Sequence, residues 1–162
     1  MDNRKIAKIA MLLSLSVVLS LIESFIPLFT SIPGIKLGLA NIVIVFAIYE
    51  LSFKDALYIS ILRVILLGIL RTGLFSINFF FSLSGALLSI FAMYLFKNTK
   101  MSIVGISIIG AIFHSVGQII IAIIFLSNTD IIYYLPFLLI GSIISGLIIG
   151  ICAKKVIEYY KN

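Results

Sequence analysis

The chain has 162 residues and a net charge of +6; 62% of the residues are hydrophobic, 11% are charged, and the mean hydropathy is +1.30. A soluble domain carries about 25% charged and 45–50% apolar residues, and one of this length could not bury so much apolar surface. The composition excludes a soluble fold and predicts an all-α integral membrane protein with a single transmembrane domain over residues 1–162.

Six apolar segments reach or approach the length of about 20 residues that a membrane-spanning helix needs. The predicted helices cover residues 6–29, 37–51, 56–70, 78–96, 101–126 and 131–153, in a compact six-transmembrane-helix bundle. The first run follows basic residues as in a signal peptide, but it is long and has no cleavage site, so we expect a retained helix. The second and third segments are short, and a re-entrant pair is the alternative for them.

The basic residues predict the orientation, because cytoplasmic flanks are enriched in Lys and Arg. With the N-terminus in the cytoplasm, only Lys36 and Arg71 flank the outer side. The inner side receives Arg4, Lys5, Lys8, Lys54, Lys97, Lys100, Lys154, Lys155 and Lys161. This bias predicts a multi-pass protein of the cytoplasmic membrane with both termini inside, and it accounts for the positive charge without nucleic acid as a partner.

Polar side chains at membrane depth are costly, and each is therefore a functional hypothesis. At about 1.5 Å per residue along a helix, nearly all of them fall in the outer half, which predicts one polar cavity on that side. The candidate substrate-binding residues are Glu23, Lys36, Asn41, Arg63, Asn78, His114 and Gln118. Because cations outnumber the one carboxylate, we expect an anionic, zwitterionic or amphipathic small-molecule ligand.

The same residues also have structural interpretations. Asn41 and Asn78 could cap helices, and Glu23 and Arg63 could form an ion pair. The His and Gln of the fifth helix lie on one face and could form interhelical hydrogen bonds. These alternatives stay open at the level of sequence.

The segment SIPGIKLGLANIV, residues 31–43, concentrates polar and backbone-breaking residues between two apolar runs. Pro33 and Gly34 predict a turn, and Gly38 allows an unusual dihedral angle or a close backbone approach. We expect this segment to fold over the cavity and then to enter the second helix.

Small residues form stripes on several helices and allow close helix–helix approach. On the sixth helix, Ser142, Gly146 and Gly150 indicate internal packing. On the first helix, a stripe lies near the cytoplasmic side and is a candidate docking surface for another membrane subunit: Ala7, Ala10 and Ser14.

Several enzyme classes lack their residues in this sequence. A prenyl diphosphate synthase needs aspartate-rich clusters for magnesium, whereas Asp2, Asp55 and Asp130 are far apart. No P-loop is present, and one His and one Cys cannot build the usual zinc sites. We therefore expect neither an enzyme nor a bound cofactor or metal.

Five stretches resemble the Gx transporter family, which also carries the name heptaprenyl diphosphate synthase component I. They are PGIKLGLANIV (33–43), LRVILLGIL (62–70), FSLSGALLSI (81–90), SIVGISIIGAIFHSVGQ (102–118) and YYLPFLLIGSIISGLIIG (133–150). The family is similar to the substrate-binding S components of energy-coupling factor (ECF) transporters. This resemblance implies six helices, an outward pocket covered by the loop after helix one, and docking through Ala7, Ala10 and Ser14.

The resemblance leads to two functional expectations. The first is the S component of an ECF-type ABC importer, which works with a transmembrane coupling subunit and two ABC ATPases. The alternative is a non-catalytic accessory membrane subunit of a heptaprenyl or polyprenyl diphosphate synthase, with a soluble aspartate-rich catalytic partner.

Overall fold

The structure is a computed structural model that describes residues 3–25 and 37–161. The described residues form six α-helices: α1 (Asn3–Phe25), α2 (Ala40–Glu50), α3 (Phe53–Leu67), α4 (Ile77–Lys97), α5 (Ile103–Leu126) and α6 (Leu135–Lys161). A π-helical turn, Gly68–Thr72, follows α3, and a 3-10 helix, Thr129–Tyr134, precedes α6. The predicted turn at Pro33 and Gly34 lies outside the described residues.

The helix lengths confirm an all-α protein of membrane type. Among the described residues, α1, α4, α5 and the continuous helical segment Thr129–Lys161 are long and apolar enough to cross a bilayer. Helix α2 is apolar but has only 11 residues, and α3 has 15. Six separate spans therefore remain a prediction. Helix α1 begins before its predicted apolar segment, and α6 ends after its own. The additional residues are basic ends, which continue the helix but do not add to its hydropathy.

Serine side chains mark three of the helix starts. Ser52 caps α3 in a capping box, in which its Oγ accepts from the Asp55 amide while the Asp55 carboxylate accepts from the Ser52 amide. Ser76 and Ser102 accept from the backbone amides of Phe79 and Gly105 at the starts of α4 and α5. Such caps satisfy amides that a helix N-terminus leaves without a partner.

Contacts between the helix ends define two ends of the bundle. At the terminal end, which carries residues 3–8, 48–55, 96–103 and 154–161, Lys8 Nζ lies 2.7 Å from the Tyr160 hydroxyl. Lys161 also lies 3.3 Å from the Glu50 carboxylate there. At the opposite end, called the cavity end, Glu23 at the end of α1 contacts the residues that precede α2. The six helices thus alternate in direction.

Glycines bring α4, α5 and α6 into close contact. A Cβ atom on Gly146 would lie 2.8 Å from the Ile108 Cα, and one on Gly150 would lie 2.8 Å from the Val104 Cα. A Cβ on Gly117 would lie 2.8 Å from the Ser84 carbonyl oxygen. The prediction that the small residues of the sixth helix serve internal packing is therefore confirmed.

Candidate functional site

A cavity of about 290 Å³ lies among the helices, and each of the six contributes to its lining. Five of the sequence-predicted residues line it: Glu23, Asn41, Arg63, His114 and Gln118. These residues come from four helices, and their separation along the chain reaches 95 positions, from 23 to 118. The structure thus brings together most of the described candidates, while a role of each in substrate binding stays a prediction.

Glu23 holds the chain where it enters α2. Its two carboxylate oxygens accept hydrogen bonds from the backbone amides of Gly38, at 2.6 Å, and Leu39, at 3.0 Å. Leu39 is the N-cap residue of α2 and makes no side-chain cap, and Glu23 is the acceptor for its backbone amide. A carboxylate at this position also interacts favourably with the positive end of the helix dipole. Gly38 has φ +79°, which explains the requirement for glycine.

Arg63 is the most deeply buried cationic side chain of the cavity, with 7% of its surface exposed. Its Nη1 donates to Asn41 Oδ1 at 3.3 Å, whereas its buried Nε has no hydrogen-bond partner among the described residues. The ion pairs between described residues do not include Glu23 with Arg63. Glu23 and Arg63 therefore do not form a contact ion pair in this structure, and the Glu23 charge acts on the guanidinium only from a greater distance.

His114 and Gln118 reach the cavity from the same face of α5, as their spacing predicts. The His114 ring lies against Gly85 of α4, where a Cβ atom would come within 2.8–2.9 Å of three ring atoms. Gly85 therefore provides the space for the imidazole. The buried Gln118 Oε1 has no hydrogen-bond partner among the described residues.

Serine hydroxyls form a large part of the polar lining, and sequence reasoning missed them as a group. The buried members are Ser89, Ser107, Ser115 and Ser142. Ser115 and Ser142 are hydrogen-bonded to each other at 2.5 Å between α5 and α6. On α5, Ser107, His114 and Gln118 share one helix face, and this spacing was the available signal. Because Ser107 lines the cavity and lies near the start of α5, the cavity extends deeper into the bundle than the outer half that we predicted.

Two further candidates lie elsewhere. Asn78 is exposed and is not part of the cavity lining, and Ser76 rather than Asn78 caps α4. Asn41 does not cap α2 either, because Leu39 occupies the N-cap position. The predicted site residue Lys36 lies outside the described residues.

The π-helical turn after α3 contributes the outermost cation of the described lining. Arg71 belongs to this turn, is exposed, and lines the cavity together with Thr72. A π-helical turn widens the backbone spacing and often occurs at functional positions. Here it directs two polar residues to the cavity end of the bundle.

The candidate docking stripe lies on the outside of the bundle. Ala7, Ala10 and Ser14 are exposed on α1, and the Ser14 hydroxyl donates to the Ala10 carbonyl at 2.9 Å. The stripe is therefore accessible in the structure, and its contact with a partner subunit stays a prediction.

The fold and the cavity together define a helical protein of membrane type that encloses polar groups between apolar helices. The chain belongs to the heptaprenyl diphosphate synthase component I family, whose sequence model matches residues 12–156. No curated protein matches the chain, and no solved structure matches it. The family name describes one component of a synthase and thereby implies a partner component.

Proposed function

We propose that the protein is a membrane-embedded small-molecule-binding subunit that acts as the S component of an ECF-type importer. The observation that carries the proposal is the polar cavity between the helices, with a buried guanidinium that has an unpartnered Nε. Native structures rarely bury polar groups without partners, so each exception calls for an explanation. A ligand that accepts from Arg63 and bonds to Gln118 would provide one.

The geometry also supports a direction of entry. Glu23, Gly38 and Arg71 line the cavity at the end of the bundle opposite the chain termini. With both termini in the cytoplasm, as the basic residues favour, this end faces the outside. A ligand would then enter from outside, as an importer requires. The exposed stripe of Ala7, Ala10 and Ser14 is the proposed contact with a coupling subunit, which two ABC ATPases would drive.

The family name favours a second candidate function, an accessory membrane subunit of a heptaprenyl diphosphate synthase. In this case the chain would anchor or regulate a soluble catalytic component. We expect no catalysis by the chain itself, because its three aspartates are too far apart in sequence to form the usual clusters.

Affinity purification separates the two functions. The tagged protein is isolated from its own membranes in mild detergent, and co-purifying proteins are identified by mass spectrometry. Recovery of a coupling membrane subunit with two ATPases supports the importer. Recovery of a soluble aspartate-rich synthase instead, without these subunits, contradicts it and supports the accessory role.

A pair of variants tests the docking stripe in the same experiment. Ala10→Leu adds bulk on the stripe, and we expect it to reduce recovery of the coupling subunit at least tenfold. Ile22→Phe adds bulk at an exposed α1 position about two helical turns beyond Ser14 and is the matched control. Equal recovery with both variants would remove the stripe from the proposal.

A further inference from the structure

The guanidinium of Arg63 has more hydrogen-bond donors inside the cavity than the described residues use. It is a planar fork of five N–H groups that matches a carboxylate with two parallel hydrogen bonds. In the structure, Nη1 makes one long hydrogen bond to Asn41 and the buried Nε makes none with the described residues. A buried charge is costly unless it is paired and hydrogen-bonded. The side chain is therefore arranged to receive an anion.

The carboxylate that could have neutralised Arg63 is engaged elsewhere. Both oxygens of Glu23 accept from the amides of Gly38 and Leu39 at the start of α2. These bonds hold the Glu23 charge at the positive end of that helix. The Glu23 charge still acts on Arg63 from beyond contact distance, but no carboxylate among the described residues is in contact with the guanidinium. A ligand carboxylate would supply that contact.

The charges of the described lining favour a ligand of low charge. The lining contains two cationic side chains, Arg63 and Arg71, and one carboxylate, Glu23. Of the two cations, only Arg63 is buried, since Arg71 is exposed at the cavity end. One buried guanidinium matches a singly charged carboxylate, whereas a multiply charged diphosphate would bring excess negative charge into a low-dielectric site.

The rest of the cavity favours a small, polar ligand body. Its volume of about 290 Å³ is near the lower limit of ligand pockets, which range over about 300–1,000 Å³. The Gln118 amide and the hydroxyls of Ser89, Ser107 and Ser115 offer hydrogen-bond partners. A long prenyl chain would exceed the volume and would leave these groups without partners.

We infer that the ligand is a small organic monocarboxylate with a polar body, whose carboxylate pairs with Arg63 and whose body hydrogen-bonds to Gln118. The inference rests on the proposed function, since it requires that the cavity binds a ligand. The inferred ligand also distinguishes the two candidate functions, because a prenyl diphosphate is not a monocarboxylate.

The sequence allows a direct test by NMR. The chain has three arginines, Arg4, Arg63 and Arg71, and a single glutamine, Gln118. Protein labelled with ¹⁵N in arginine and glutamine, in lipid nanodiscs, therefore gives three Nε–H signals and one pair of side-chain amide signals. Arg4→Lys and Arg71→Lys variants assign the arginine signals. The probes are lactate and glycerate, their neutral counterparts lactamide and glycerol, inorganic pyrophosphate, and a protein-free small-molecule extract of cells.

We expect the Arg63 Nε–H signal to move saturably with a carboxylate probe or with the extract, and not with the neutral probes. The Gln118 signal should move with it, while the Arg4 signal stays in place. In Arg63→Lys, binding should weaken at least tenfold. A Gln118 signal that moves while the Arg63 signal does not, or an Arg63 signal that responds only to pyrophosphate, would overturn the monocarboxylate and leave the cavity as a ligand site. If no probe and no extract moves either signal, the proposed binding function fails, and the inference with it.

Discussion

The two ends of the bundle differ in whether their polar groups have partners. At the terminal end, charged side chains are paired: Lys5 lies 2.8 Å from the Asp55 carboxylate, and Lys97 Nζ donates to the Ile48 carbonyl at 2.5 Å. The buried isoleucines Ile48 and Ile106 pack just inside these contacts. The buried Glu50 Oε1 at the same end has no hydrogen bond with a described residue, but it lies 3.3 Å from Lys161 Nζ. At the cavity end, the buried Arg63 Nε and Gln118 Oε1 have neither a hydrogen bond nor an ion pair with a described residue.

This contrast distinguishes groups that stabilise the fold from groups that we expect to bind a ligand. Paired and close-packed groups stabilise the fold, whereas unsatisfied buried groups cost stability and are retained where a site needs them. Substitutions at the terminal end and between the glycine-packed helices should therefore lower stability. Substitutions of the unsatisfied groups at the cavity end should lower ligand binding and leave stability unchanged or higher.

The largest loss of stability is expected where glycine packs backbone against backbone. Gly146→Ala places a Cβ atom 2.8 Å from the Ile108 Cα, which cannot move without separating α5 from α6. We expect a loss of about 3 kcal/mol, at the upper end of typical overpacking costs. Thermal unfolding in detergent measures it. Gly105→Ala is the control, because the nearest atom to its new Cβ is the flexible end of Met101 at 3.3 Å. Equal stability of the two variants would contradict close α5–α6 packing.

The capping box at the terminal end should give the next largest effect. Asp55→Asn removes a carboxylate that Lys5 and Ser52 both contact, and we expect a loss of about 2 kcal/mol at neutral pH. Burial favours a higher pKa for Asp55, but the hydrogen bonds from Lys5 and Ser52 and the Lys5 charge outweigh it, so its pKa is lowered from the ordinary value.

The sign of this pKa shift sets the pH dependence. A carboxylate with a lowered pKa in the folded protein stabilises it above the unfolded pKa, and this contribution is lost as the pH falls through the folded pKa. The stability difference between wild type and Asp55→Asn should therefore be constant well above the unfolded pKa and shrink as the pH falls through the folded pKa. Unfolding measured from pH 7 down to the lowest pH at which the protein stays folded checks this, with the exposed Asp130→Asn as control. A difference that persists at the lowest pH would assign the effect to packing.

At the cavity end, we expect the opposite sign. Arg63→Met replaces a buried, incompletely hydrogen-bonded charge by an apolar side chain of similar length, and stability should rise by about 1 kcal/mol. Ligand-induced stabilisation should disappear in the same variant, when tested with the small-molecule extract in a thermal-shift assay. A variant that is less stable and still binds ligand would identify Arg63 as a structural residue.

The parts of the structure that could be predicted from sequence are those set by local properties. Apolar segment length indicated the helices, and the cost of polar groups in a membrane singled out Arg63, His114 and Gln118. The role of Glu23 could not be read in the same way, because it depends on amides 15 and 16 positions away.

The serine lining was missed because serine is common in membrane helices, and only the packing decides which hydroxyls face a cavity. Asn78 was included because it is polar and opens a predicted helix on the outer side, but it is exposed and is not part of the cavity lining. Its alternative role as a helix cap is taken by Ser76, two residues earlier. Both errors concern polar residues whose direction depends on the neighbouring helices.

The smallest change in stability is expected for Glu23→Gln, which removes the charge but keeps a hydrogen-bond acceptor. Glu23→Gln keeps one oxygen that can accept from the Gly38 or Leu39 amide but loses the charge at the start of α2, so stability should fall by only about 0.5–1 kcal/mol. Hydrogen exchange gives a sharper measurement, because opening of this contact should speed exchange at Gly38 and Leu39 several-fold and leave the middle of α5 unchanged. Glu158→Gln, which removes an exposed carboxylate near Lys154, is the matched control and should alter neither quantity. Unchanged exchange in Glu23→Gln would mean that the charge does not hold α2 in place. Faster exchange together with weaker ligand binding would connect the start of α2 to the cavity below it.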